Sequence, residues 1–170
     1  MRASACFAGC VRTYMTELGS NKTNGFGLLD LMLTLVIASL LAALAVPAYN
    51  GFIDRGKNAK AIGDIGSICV RIESFRLRNN DRIPLSLNEL PGEIPLDPWG
   101  NPYSFLNIKV AGPGAGGLRK DGKLNPLNTD FDLFSMGSDG DSSDPLSAKV
   151  SRDDIVRANN GDFIGRGEDY

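Results

Sequence analysis

From Phe26 to Val46 the chain is almost wholly apolar, and the run carries a single charge, Asp30. A helix rises about 1.5 Å per residue, so this run spans roughly 30 Å, the thickness of a bilayer core. Such a segment dictates the organisation of the rest. The residues before it read as a dispensable leader, and those after it as a soluble domain tethered to it. Asp30 stands four residues after Phe26, where a carboxylate is expensive in hydrocarbon and needs a partner.

Composition narrows the class further. The chain has 170 residues, enough for one modest core plus an anchor. It contains no histidine, which excludes Ser-His-Asp and Cys-His catalysis and His-ligated metal sites. The formal charge is −2, and no long Lys or Arg block argues for a nucleic-acid partner. Scattered aspartates alone do not make an enzyme, so none is expected. Cys6 and Cys10 precede the run and Cys69 comes after it. Cys69 falls on the apolar side of a helical pattern, as a buried, inert thiol would.

A secretory signal carries its cleavage site after the apolar core. Here the small residue, Gly25, stands before the core, so a cut there keeps the apolar segment in the mature chain. Met15 is an alternative start. Past the run, Phe52, Ala59, Ile62, Ile65, Ile68, Cys69, Ile72 and Phe75 recur largely at three- and four-residue steps. That periodicity predicts an amphipathic helix continuing the apolar one and ending near Asn79-Asn80-Asp81. Pro47 removes one backbone donor and is expected to kink or loosen the join. Gly51, Gly56, Gly63 and Gly66 each weaken the helix by up to about 1 kcal/mol, so packing must hold it.

Residues 83–91 are consistent with a short helical turn, and Asp97-Pro-Trp-Gly-Asn-Pro102 is dense turn chemistry. Tyr103–Val110 and Phe131–Ser135 read as strands joined by a Gly-rich connection over 112–123. Its Gly112-x-Gly-x-x-Gly117 matches a dinucleotide fingerprint in form only, because it leads into Leu-Arg-Lys-Asp-Gly instead of an apolar helix. The tail holds two apolar pairs, Ile155-Val156 and Phe163-Ile164, among Asp, Ser and Gly. Its aspartates Asp139, Asp141, Asp144, Asp153 and Asp154 leave two readings open: a solvated acidic loop, or an oxygen-rich site for calcium. An EF-hand is excluded by Asp144 and Val150 at its sixth and twelfth positions. The expected fold is α+β, with a long N-terminal helix packed on a small antiparallel sheet with long C-terminal loops. The segments are a leader over 1–25, a transmembrane helix over 26–53 and a globular domain over 54–170.

Gly25-Phe26-x-Leu28-Leu29-Asp30, the apolar run and Pro47 together resemble the N-terminus of the type IV pilin and pseudopilin family. The resemblance implies a prepilin peptidase that cuts between Gly25 and Phe26 and methylates the new Phe26 amine. It also implies assembly roles for Asp30 and Pro47. The family usually has glutamate where Asp30 stands, so the charge is kept on a shorter arm. Asp97-Pro-Trp-Gly-Asn-Pro-Tyr103, Phe134-Ser-Met-Gly-Ser-Asp-Gly140 and Asp154-Ile155 are similar to the major pseudopilin of type II secretion systems. That likeness implies a pilin-like fold and a calcium (Ca2+) site using the Met136 carbonyl, Asp139 and the Asp153-Asp154 pair, although the spacing from Asp139 to that pair is longer than in the group. It implies partners as well: copies of the chain, minor pseudopilins, an inner-membrane assembly platform, and lipid before assembly. The chain would span the inner membrane once with its C-terminal domain in the periplasm, then enter a periplasmic or cell-surface filament. Arg55, Lys57 and Lys60 are candidate charges at such an interface. A type IV pilus subunit, or an anchored binding module that never polymerises, are the rival readings.

Overall fold

The computed structural model describes residues 25–112, 114–122 and 124–170. Residues 1–24, which hold most of the expected leader with Cys6, Cys10 and Met15, lie outside the described residues, as do Pro113 and Lys123 of the Gly-rich connection. One long helix, α1 (Leu28–Arg78), opens the described chain. It runs through Pro47 without interruption, so the missing donor at Pro47 does not end it. The chain divides between Ala45 and Val46 into two units.

In the first unit every described side chain is exposed. Leu28, Leu29, Met32, Leu35, Leu40 and Leu44 are each more than half exposed. In water such a surface is untenable, since burying one Leu-sized side chain is worth about 1.5–3 kcal/mol.

The second unit holds the core. Ala61, Ile65, Ile68 and Ile72 line one face of α1 at steps of four, three and four residues and are essentially sealed from solvent. They pack with Ile83, Leu90, Tyr103, Phe131, Leu133 and Ile155. The α1 glycines face open space, so this packing, not propensity, stabilises that half of the helix. Arg71 reinforces it by donating to the carbonyls of Gly92 (2.9 Å) and Glu93 (3.0 Å), and to Pro91. These contacts pin the 91–93 loop to the helix.

Four strands form an antiparallel meander in chain order: β1 (Ser104–Asn107), β2 (Phe131–Ser135), β3 (Ile155–Ala158) and β4 (Phe163–Arg166). The register places Phe105 opposite Leu133, Phe134 opposite Val156, and Val156 opposite Gly165. Phe131 and Leu133 face α1, whereas Phe134, Val156 and Ala158 join Leu127, Leu146 and Tyr170 in a second cluster. Both faces of the sheet are therefore covered, and all four residues of β3 are buried.

Two expectations change in detail. The strand expected over Tyr103–Val110 stops at Asn107, and Ile108–Ala111 forms a single helical turn, α2. The cause is Asn107, whose Oδ1 accepts from the Val110 N–H (3.2 Å) while its amide donates to the Pro84 carbonyl (3.0 Å). An Asn that caps a turn offers the backbone an alternative to the sheet ladder. The apolar pairs of the tail are the cores of two further strands, β3 and β4. The turn expected within 83–91 is present over Leu87–Glu89.

Candidate functional site

Two regions carry the chemistry anticipated from sequence: the start of α1 and the loop between β2 and β3. At the first, Gly25 and Phe26 precede the helix in non-helical backbone and are exposed. Asp30 lies in the first turn, and its Oδ2 accepts from the Gly27 N–H at 3.1 Å. That contact satisfies one of the orphan donors of the helix start and places negative charge at the positive end of its dipole. Asp30 thus caps its own helix and remains exposed. Arg55 is exposed and Lys57 half-buried, whereas Lys60 pairs with Asp64 one turn on at 2.7 Å. The Tyr103 hydroxyl donates to the same carboxylate at 3.0 Å, tying α1 to the approach of β1.

The second region is the 136–154 loop. Asp139 and Asp153 are neighbours in it. Asp153 Oδ2 accepts from Ser138 N–H (2.8 Å), Ser138 Oγ (2.7 Å) and Asp139 N–H (3.2 Å), while Asp139 Oδ1 accepts from Asp141 N–H (2.9 Å). Gly137 makes this closure possible. Its φ is +66°, and a Cβ there would lie 2.5 Å from the Asp153 carbonyl oxygen. Gly137→Ala is therefore expected to destabilise the unit by about 2 kcal/mol or more, measurable by urea unfolding, with no effect expected on membrane insertion.

Asp154 points elsewhere. Its Oδ2 accepts from Arg119 Nη2 and from Ser142 Oγ (2.7 Å), and both members of the Arg119–Asp154 pair are buried. Among the described residues no three His, Cys, Asp or Glu side chains converge as a metal-binding group. The residues present do not fit a calcium ion held jointly by Met136, Asp139, Asp153 and Asp154. One expected ligand is committed to a guanidinium, and one oxygen of Asp153 already accepts three hydrogen bonds.

Ionisation reflects these contacts. Burial raises the Asp153 carboxyl, but the Ser138 hydroxyl and the loop N–H groups outweigh it and bring the group below the usual carboxylate range. A depressed folded value means the stabilisation is present above the unfolded value of about 4 and lost as pH falls through the folded one. Asp153→Asn should accordingly melt below the parent at pH 7, and the gap should narrow as pH falls below about 4. A gap of constant size would contradict this origin. Asp154 runs the other way: burial pushes it up, opposed by Ser142 and Arg119. Burial also pushes the Cys69 thiol up to about 11, leaving it protonated and unreactive at neutral pH.

Comparison with known proteins decides the family. The type II secretion system core protein G of Aeromonas hydrophila is 30% identical over 163 residues, covering 84% of this chain and 96% of the relative. The chain belongs to the core protein G family, the major pseudopilins of type II secretion. The core protein G of Pseudomonas aeruginosa is also 30% identical, over 69% of this chain and 84% of its own length. That of Pectobacterium carotovorum is 30% identical over 78% and 86%. No family model and no solved structure matches the chain. As a pseudopilin, the chain has a structural role, and α1 is long and apolar enough to cross a membrane.

Sequence reasoning missed two buried cations, Arg119 and Arg157. Arg157 is 4% exposed, pairs with Asp130 through its two terminal guanidinium nitrogens (2.7 and 2.8 Å) and also donates to the Phe131 carbonyl (2.9 Å). The only signal for it was a charge set between apolar residues, Ile155-Val156-Arg157-Ala158.

Proposed function

We propose that the chain is a subunit of a type II secretion pseudopilus, cut between Gly25 and Phe26, methylated at Phe26 and polymerised into a helical filament. The observation that carries this is the continuous exposed apolar surface of α1 from Leu28 to Ala45, in a chain of the core protein G family. Lipid would cover that surface in the inner membrane before assembly, and the same helices of neighbouring copies would cover it afterwards. Ala38, Ser39, Ala42 and Ala43 allow close helix approach there. The partners are the prepilin peptidase, further copies of the chain, minor pseudopilins and the assembly platform, with the globular unit in the periplasm.

Asp30 would meet the terminal ammonium of Phe26 on an adjacent subunit, exchanging its contact with Gly27 for a charged partner in an apolar setting. Two variants separate its capping role from its charge. Asp30→Asn keeps an acceptor for the Gly27 N–H, and Asp30→Ala removes it. Both should be cleaved normally and yield no filament when sheared fractions are blotted. Filaments from Asp30→Asn at the parent level would sink the charge-pairing step.

A further inference from the structure

The loop between β2 and β3 turns around one side chain, Arg119, which is 2% exposed. Its backbone is fixed first: the N–H donates to Asp132 Oδ2 (2.8 Å) and the carbonyl accepts from Leu127 N–H (2.8 Å). The guanidinium then gathers the loop. Nη1 donates to Ser142 Oγ and to the Ser143 carbonyl, each at 2.6 Å, and Nη2 donates to Asp154 Oδ2. Its plane lies over the Phe134 ring, 4.4 Å from the centroid. Ser151 Oγ closes the second layer, donating to the Ser143 carbonyl (2.8 Å) and accepting from Ser143 N–H (2.9 Å).

A carbonyl, a hydroxyl and a carboxylate around a buried positive charge form the oxygen set that a hard cation would collect. We propose that Arg119 is the resident cation of this loop, so that the globular unit is ordered without a divalent metal ion. Charge supports this. The pair is neutral, and the partnerless buried atoms at its centre, Asp154 Oδ1 and Arg119 Nε, belong to the pair itself. A dication at Oδ1 would lie beside the guanidinium with one carboxylate between two positive groups, an arrangement repulsion disfavours. Oδ2 of the neighbouring Asp153 is occupied with the Ser138 N–H and hydroxyl and the Asp139 N–H. The inference concerns the globular unit and stands whether or not the chain polymerises.

The test is thermal unfolding of the full chain in detergent, monitored by Trp99 fluorescence, in excess chelator and in millimolar calcium. The parent midpoint should be the same in both. Arg119→Met should lower it by about 10 °C in chelator, because one member of a buried pair is removed. A parent midpoint that falls in chelator and recovers with calcium overturns the proposal. So does an Arg119→Met protein that melts with the parent. If that variant does not fold, the two parent melts decide alone.

Discussion

Arg157→Met is expected to destabilise the globular unit by about 3–5 kcal/mol, the usual consequence of removing one partner from a buried ion pair. Arg157 lies on β3 and reaches across to the start of β2, where it holds Asp130 with two nitrogens and caps the Phe131 carbonyl. Its guanidinium also covers the Phe131 ring, 3.9 Å from the centroid. Deleting it leaves the Asp130 carboxylate, only 15% exposed, without its counter-charge, and strips a donor from a buried carbonyl. Burial raises Asp130, and the Arg157 pairing together with the Phe131 N–H more than reverses this, so the carboxyl lies below its ordinary range. The variant should therefore also lose part of the parent's acid sensitivity below about pH 4. Urea unfolding at pH 7 and pH 3 reads both effects, and a loss under about 1 kcal/mol at pH 7 would contradict this role.

Phe131→Ala is the second large effect, also about 3–5 kcal/mol. Phe131 is 1% exposed and joins the cluster beneath α1 that includes Ile65, Ile68 and Ile72. Its ring packs against Phe105 of β1 at 5.7 Å between centroids. Because the Arg157 guanidinium rests on the same ring, the two losses share an interaction. The double variant should lose less than the two single losses added together, and strict additivity would show the stacking to be energetically idle.

These two residues show where the sequence was legible and where it was not. The helix was readable because Ile65, Ile68 and Ile72 repeat at its period, and its end was marked by Asn79-Asn80-Asp81. Asn80 and Asp81 do take positive φ there. β2 was readable because Phe131-Asp-Leu-Phe alternates over a strand's length. β3 and β4 are four residues each, and their patterns break the alternation rule. In β3 the charge at Arg157 is buried, since Asp130 supplies its counter-ion from outside the strand. In β4 Gly165 gives room to the Phe163 ring, 2.7 Å from where its Cβ would stand. The sequence signal was the turn between them: Asn159-Asn160-Gly161, all at positive φ, separates the two apolar pairs.

The candidate sites divide in the same way. Gly25, Phe26 and Asp30 are close in sequence, so a local motif sufficed to single them out. The oxygen-rich loop was visible as composition, but its organising charge lies far upstream at Arg119. Asp153 and Asp154 are successive residues with opposite fates, one turned to the loop amides and one to the buried guanidinium. Composition gives the donors of such a loop, and only the fold says which cation they surround.

The central claim is that the apolar helix becomes the amino terminus of a processed subunit. Intact-mass spectrometry of the protein recovered from its native membrane tests it most directly. The expected mass is that of Phe26–Tyr170 with one added methyl on the terminal amine. A mass corresponding to a chain that begins at Met1 or Met15 would contradict it.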